Sequence, residues 1–210
     1  MSLRTSYTLL APIYDPLVAS ATRGFRRTSL KALDTTAPSQ RVLLAGIGSG
    51  LDLPELPAGP LYIGMDLTPA MLRRAQQRNR VYQNTLLHCG DVHHLPYRDA
   101  SFDTVLMHLI LAVVPDPHQA LAEVVRVLKP GGHLHVVDKF LRPGQRAWLR
   151  RSLSLVLRHI ATRTDVVFEE LHAGQRSLTL LHEQNLEPSG WFRFLRLQKT
   201  FGPHPEPPPC

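Results

Sequence analysis

The feature that most constrains this chain is the stretch Val42–Asp52, VLLAGIGSGLD, in which a short apolar run enters a turn with three glycines. A second short run, Leu61–Asp66, ends on an acid twenty residues after the first glycine, Gly46. A strand, a glycine turn, a crossover and a second strand ending on a carboxylate are typical of α/β proteins that bind an adenosine-containing cofactor. The sequence therefore predicts such a site at the carboxyl edge of a parallel sheet.

The three glycines, Gly46, Gly48 and Gly50, have the spacing G-x-G-x-G, one residue shorter than the dinucleotide fingerprint. No Lys-Ser or Lys-Thr pair follows them, which excludes a P-loop. The shorter turn suits a cofactor with adenine and ribose but no pyrophosphate, so S-adenosylmethionine is the candidate. Glycine lets the chain turn sharply and lets its backbone approach a cofactor without an intervening Cβ. A tight turn without any cofactor is the alternative.

Two acids at strand ends are candidate hydrogen-bond acceptors. Asp66 ends the second strand, where its carboxylate can accept from both ribose hydroxyls, and Leu67 and Met71 are predicted to contact the cofactor beside it. Asp91 follows the third strand in CGDVHHLPY, where it can accept from the adenine amino group while the Val92 N–H donates to a ring nitrogen. The alternative for each acid is an ordinary solvated carboxylate at a strand end.

Strand and helix patterns alternate along the chain and predict a doubly wound α/β fold with a parallel sheet. Apolar runs predict strands over 41–45, 61–66, 86–89, 101–108 and 133–138, and amphipathic patterns predict helices over 69–77 and 118–128. Two further runs, 178–186 and 191–200, predict a hairpin that closes the sheet edge. We expect one domain in four parts: an N-terminal helical lid (1–40), a cofactor-binding core (41–140), C-terminal helices with the hairpin (141–200) and a disordered Pro-rich tail (201–210).

The charge of the chain favours an anionic partner, because 24 Lys and Arg against 17 Asp and Glu give a net charge of +7. The candidate contacts to an anionic membrane surface are Arg23, Arg26, Arg27 and Lys31, beside the apolar Phe25. The alternative is a solvated basic face on an ordinary amphipathic helix. A nucleic-acid partner is disfavoured, because few aromatic residues interleave with the basic ones.

Other classes of protein are disfavoured by what the sequence lacks. Its two cysteines do not form a disulfide framework, and no apolar run reaches the roughly 18–20 residues that cross a bilayer. We recognise no secretory signal and expect a cytoplasmic protein, attached to the inner face of the membrane if the basic helix binds lipid. The cluster of His88, Cys89, Asp91, His93 and His94 lacks zinc spacing, so no metal site is expected. No oligomeric state follows from the sequence.

The segments VLLAGIGSG, YIGMDLTPAMLRRA, GDVHHLPYRDASFDTVLMH and EVVRVLKPGGHLHVVD closely resemble the class I S-adenosylmethionine-dependent methyltransferases over about residues 40–140. The resemblance implies a Rossmann-like sheet of seven strands, parallel except for the last. It assigns the glycine loop, Asp66, Asp91 and Val92 to the cofactor as above and implies that His108 lines its methionine moiety. The family usually has an acid two residues before the first glycine, which helps to hold the methionine end of the cofactor, but this chain has Leu44 there.

A narrower resemblance links YTLLAPIYDPL, VVPDPHQAL and WFRFLRLQK to the short bacterial phospholipid N-methyltransferases and to the ubiquinone/menaquinone-type methyltransferases. In both groups the segment with APIYD folds over the cofactor as a lid. The resemblance therefore implies that Tyr14 lies near the sulfonium methyl and Tyr7 near the substrate entrance. The alternative for Tyr14 is simple packing of the first helix against the sheet.

These observations lead to a first hypothesis of N-methylation of a phospholipid amine, such as phosphatidylethanolamine, at a membrane surface. The alternatives are methylation of a small soluble or quinone-like molecule and a non-catalytic binding protein that keeps the fold. Methyl transfer depends mainly on alignment of the acceptor, and an ammonium acceptor must first lose a proton. The candidate residues for taking or relaying that proton are Tyr14, His108 and Asp138.

Overall fold

The computed structural model describes residues 20–36, 39–82, 85–142 and 166–201. Within them lies a sheet whose strands are β1 (Arg41–Ala45), β2 (Leu61–Asp66), β3 (Thr85–Cys89), β4 (Phe102–His108), β5 (Leu128–Lys139), β6 (Leu178–Asn185) and β7 (Phe192–Lys199). The helices in these ranges are α1 (20–31), α2 (Pro69–Tyr82), α3 (Pro117–Val127) and α4 (Phe168–Ala173), with a 3₁₀ turn at Leu53–Glu55.

The sheet has the strand order β3-β2-β1-β4-β5-β7-β6. Strands β1 to β5 run parallel, and β7 lies antiparallel between β5 and β6. This arrangement confirms the predicted doubly wound sheet of seven strands and the predicted closing hairpin. The order reverses direction between β1 and β4, and a cleft opens at the carboxyl ends of the strands at such a switch point.

Two of the boundaries predicted above differ from the structure by more than one residue. Helix α2 continues to Tyr82 rather than 77, and Asn79 near its end donates to the Thr85 carbonyl at the start of β3 (2.6 Å). Strand β5 begins at Leu128, directly after α3, rather than at His133. The Lys-Pro-Gly-Gly segment interrupts the pairing with β4 as a bulge. Gly132 fits there because a Cβ would lie only 2.9 Å from two backbone oxygens.

Both faces of the central strands β1 and β4 are buried, as expected for a parallel sheet between helices. Along β1, Leu43 and Ala45 belong to one apolar cluster, which includes residues of α3. Val42 and Leu44 belong to a second cluster, which includes Leu30 of α1. The part of α1 that the structure describes is therefore packed on the sheet, beneath the cleft. The segment with Tyr7 and Tyr14 lies outside the described residues, as do the predicted tail beyond 201 and residues 143–165 of the predicted C-terminal part.

Candidate active site

A cavity lies at the carboxyl ends of β1, β2 and β4, where the sheet topology places the cleft. Its walls are the glycine loop after β1, the end of β2, the loops after β3 and β4, and Arg26 of α1. The predicted cofactor residues that line it are Gly46, Gly48, Asp66, Leu67, Met71, Asp91, Val92 and His108. Residues far apart in the sequence thus meet at one edge, as the motif order indicates.

The glycines of the loop have different structural roles. Gly48 has a φ of +58°, and a Cβ built on it meets no atom within 4 Å, so its missing side chain leaves cavity space open. Gly50 is not among the residues that line the cavity, and its contact with the cofactor stays a prediction. A Cβ on Gly50 would lie 2.7 Å from Leu53 and 3.0 Å from Ala75, because the loop packs tightly against the 3₁₀ turn and α2. Gly50 therefore serves packing, with a φ of +81° that favours glycine.

Asp66 is held in place by the backbone around it. Its Oδ2 accepts from the Gly48 N–H (2.9 Å) and its Oδ1 from the Thr68 N–H (2.8 Å). Burial raises the pKa of Asp66, and the two backbone donors oppose that shift. Each carboxylate oxygen can accept more than one hydrogen bond, so Asp66 can still accept from two hydroxyls in the cavity.

Asp91 is fixed by its own loop. Its Oδ1 accepts from the backbone N–H of His93 (2.9 Å) and lies 2.6 Å from the ring Nδ1 of the same residue. Partial burial would raise the pKa of Asp91, but the hydrogen bonds from His93 outweigh it and lower the pKa. The carboxylate is therefore oriented and ionised beside the buried Val92.

His108 ends β4 with both ring nitrogens engaged. Its Nδ1 lies 3.1 Å from Asp52 Oδ2, and its Nε2 lies 2.9 Å from Ser29 Oγ of α1. The consistent assignment is that Nδ1–H donates to Asp52 and the Ser29 hydroxyl donates to Nε2. Burial lowers the pKa of His135 to about 3, and this neutral ring lies 3.2 Å from the Ser29 carbonyl. The arrangement does not support the prediction that His108 takes a proton from the acceptor.

The structure contradicts the prediction that Arg26 contacts a membrane. Its side chain is only 6% exposed, lines the cavity and lies 3.3 Å from Asp52, whereas a lipid contact requires it to point outward. Arg26 falls on the same helical face as the buried Thr22, Ser29 and Leu30, a spacing that indicates its inward direction.

The other predicted lipid contacts of α1 stay at the surface, with partners of their own. Arg23 and Arg27 both donate to Glu55 at 2.9–3.0 Å, and their side chains remain 63% and 49% exposed. The ring of Phe25, which the sequence suggests as an apolar membrane contact, packs on that of Phe192 with centroids 5.0 Å apart. Lys31 is exposed.

Asp138 lies below the cavity rather than in its lining. It is 1% exposed and accepts from the N–H of Ala112 (3.1 Å) and of Lys139 (2.8 Å). Burial raises its pKa to about 6. Asp138 therefore anchors the loop after β4, which brings Ile110 and Val113 to the cavity, and this position does not support the prediction that it relays the acceptor's proton.

The sequence reasoning missed Asp52 and Ser29. Asp52 lies at the end of the motif segment, yet only its position among buried neighbours distinguishes it from a surface acid. Ser29 carries no motif signal, and only the helical spacing with Arg26 indicates its face. No group of three or more potential metal ligands occurs among the residues that the structure describes. Of the helices in those same ranges, none is long and apolar enough to span a membrane.

Comparisons with known proteins agree with this geometry. Residues 43–136 match the family described as Methyltransferase domain. The chain is 31% identical over 193 residues to phosphatidylethanolamine N-methyltransferase of Cereibacter sphaeroides, covering 89% of this chain and 93% of that protein. It is 34% identical over 172 residues to demethylmenaquinone methyltransferase of Tropheryma whipplei (strain Twist), covering 76% and 70%.

Solved structures show the same fold. A Haloferax volcanii protein in complex with a methyltransferase activator superposes with a TM-score of 0.77 at 18% identity, over 96% of this chain and 99% of that one. A geranyl diphosphate methyltransferase in complex with S-adenosylmethionine superposes with a TM-score of 0.68 at 17% identity, over 84% of each chain.

The fold, the glycine loop and these relatives define a class of enzyme, and the chain belongs to the class I S-adenosylmethionine-dependent methyltransferases. Its cofactor is S-adenosylmethionine. The residues of the cavity fit that cofactor, because Gly48 leaves open space and Asp66 keeps acceptor capacity beside it.

Proposed function

We propose that this methyltransferase N-methylates the amine head group of a phospholipid such as phosphatidylethanolamine. The observation that carries the proposal is the similarity to the Cereibacter sphaeroides enzyme, which extends over about nine tenths of both chains. Methylation of a quinone-like acceptor is the second candidate. The demethylmenaquinone methyltransferase favours it at slightly higher identity over a smaller share of each chain.

We propose that each part of the cofactor's nucleoside binds to its own residues in the cavity. In our proposal Asp66 accepts from the ribose hydroxyls, while Asp91 and the Val92 N–H bind adenine. Gly46 and Gly48 let the backbone of the loop approach, and Leu67 and Met71 contact the nucleoside from the β2 side. When bound, S-adenosylmethionine supplies a methyl group already activated by its sulfonium.

The residues of this chain then have to orient the acceptor and exclude water. Ile110, Val113 and Val114 form an apolar rim on the loop after β4, held from below by Asp138. Both nitrogens of His108 are engaged, so His108 is proposed to position α1 and Asp52 rather than to remove a proton. The acceptor amine is proposed to lose its proton to water before it binds. The cavity then only has to align the amine with the methyl group, and alignment alone can lower the barrier by about 7–11 kcal/mol. Tyr14 stays a prediction for the methyl-transfer region.

The surface of α1 is the proposed contact with an anionic membrane. Glu55 neutralises one of the two charges of Arg23 and Arg27, and the exposed Lys31 adds another. A cation near an anionic surface contributes about 1 kcal/mol, so the described part of α1 supplies weak, salt-sensitive attraction. Arg26 does not take part, because it is buried in the cavity wall.

Methyl-labelled S-adenosylmethionine with two kinds of vesicle tests the proposal. One kind contains phosphatidylethanolamine, and the other contains phosphatidylcholine with a demethylated menaquinol. We expect label in the lipid amine, seen by lipid extraction and mass spectrometry, and none in the quinol. Label in the quinol alone would replace the proposal with its second candidate. The Asp66→Ala variant serves as the control for cofactor-dependent transfer.

A further inference from the structure

Asp52 presents an unusual carboxylate to the cavity. The residue is 6% exposed and lines the cavity. Its Oδ2 is bound by His108 Nδ1, whereas its Oδ1 is buried without a hydrogen-bond partner. Arg26 Nε lies 3.3 Å from Oδ1 and balances its charge, but that contact is an ion pair without hydrogen-bond geometry. A buried acceptor without a donor is costly, so this oxygen is suited to receive one from a ligand.

The position of Asp52 in the sheet decides which part of a ligand it meets. The strand order β3-β2-β1-β4 places Asp91, Asp66, the glycine loop and His108 side by side along the carboxyl edge. With adenine at Asp91 and ribose at Asp66, the rest of the cofactor extends toward β1 and β4. That is the end where Asp52 and Arg26 lie, so this step rests on the proposed function.

The end of S-adenosylmethionine that reaches this region is an amino acid, which carries an ammonium group. An ammonium is a donor without acceptor capacity and is best met by a carboxylate. Leu44, where the resemblance leads us to expect an acid, is 2% exposed and packed in the apolar cluster with Val42. His108 has no nitrogen left to accept, and Asp66 and Asp91 lie toward the nucleoside.

We infer that Asp52 binds the ammonium group of the cofactor through Oδ1 and replaces the carboxylate missing at position 44. His108 holds the other oxygen and so fixes the direction of Oδ1. Arg26 offsets the buried negative charge before the cofactor enters. Helix α1 is thereby tied to the cofactor through Arg26 and Ser29, both of which contact this group of side chains.

Calorimetric binding of two compounds tests the inference without measuring methyl transfer. The compounds are S-adenosylhomocysteine and its analogue in which hydrogen replaces the ammonium group. We expect the wild-type chain to bind the analogue about tenfold or more weakly, as expected for loss of a charge-assisted hydrogen bond. In the Asp52→Asn variant the two compounds should bind within about twofold of each other, and Asp52→Glu should restore part of the difference.

The matched control is Glu55→Gln, which removes a nearby acid that binds α1 from outside the cavity lining. Its ratio of the two affinities should equal that of the wild type. An Asp52→Asn ratio as large as the wild-type ratio would overturn the inference alone. A wild-type ratio within about twofold would also overturn it, even if the Asp52 variants failed to fold. Absence of binding of either compound by the wild type would instead reject the proposed cofactor placement.

Discussion

The two sides of the cavity are built in different ways. On the β2 side, Asp66 is held by backbone donors of neighbouring loops, Gly48 and Thr68. On the β4 side, His108 and Asp52 are held by side chains of α1, Ser29 and Arg26. A change on the first side should therefore act mainly on cofactor binding. A change on the second side should act on the docking of α1 as well, and so on the stability of the fold.

The largest effect is expected for Asp66→Ala. Loss of two hydrogen bonds from ribose hydroxyls to a carboxylate should cost about 3–6 kcal/mol, a loss of at least roughly 100-fold in affinity for S-adenosylhomocysteine. The domain should stay folded, because removal of a buried carboxylate whose pKa is raised offsets part of the lost backbone contacts. Calorimetry and circular dichroism measure the two outcomes. Unchanged affinity would contradict the ribose assignment.

Arg26→Gln should affect the stability of the fold more than it affects cofactor binding. Removal of one partner from a buried ion pair leaves Asp52 uncompensated and should lower the free energy of unfolding by about 3–5 kcal/mol. The matched surface change, Arg23→Gln, should cost no more than about 1 kcal/mol, because its pair with Glu55 is screened by water. Urea unfolding compares them. Equal losses would show that Arg26 does not anchor α1.

Asp138 should give stability a distinct dependence on pH. Its pKa is about 6 in the folded chain and 3.8 when unperturbed. Between these values the folded state binds the proton and the unfolded state does not, so its contribution to stability is full below pH 3.8 and is lost as pH rises through 6. The expected change is about 3 kcal/mol.

The comparison that isolates this contribution is Asp138→Asn. Unfolding free energies of the wild type and the variant, measured by urea at acid and neutral pH, should diverge by that amount because the variant lacks the titration. Parallel pH profiles would show that burial does not raise the pKa of this carboxyl.

The smallest effects are expected for alanine substitutions at Gly50 and Gly48, and these should differ in kind. Gly50→Ala places a Cβ against Leu53 and Ala75 at a positive φ, which should cost about 1–3 kcal/mol of stability. Gly48→Ala meets open space, so its stability loss should be smaller, but its Cβ takes cavity volume from the cofactor. Melting temperature and S-adenosylhomocysteine affinity should therefore rank the two variants in opposite order. The same ranking in both would contradict the division of roles.

The contrast between the two sides of the cavity also explains which features the sequence predicts and which it does not. The bounds of β1 and β2, the position of Asp66 and the order of motifs follow from short apolar runs and local turns, so the sequence predicts them. The inward direction of Arg26 and the engaged nitrogens of His108 depend on Asp52 and Ser29, which no motif connects to them. The sequence does not predict the bulge in β5, because its proline and glycines are typical of a break between elements. In the structure they lie within the strand, where the pairing with β4 shifts its register.

By itself, the sequence determined the parallel sheet, the glycine turn and the two strand-end acids, because periodicity and backbone freedom act over a few residues. Only the tertiary structure decided which charges face the cavity and which face water. A long cationic side chain reaches several partners, and its direction depends on which carboxylate the packing of α1 brings within reach. Glu55 holds Arg23 and Arg27 at the surface, and Asp52 draws Arg26 into the cleft.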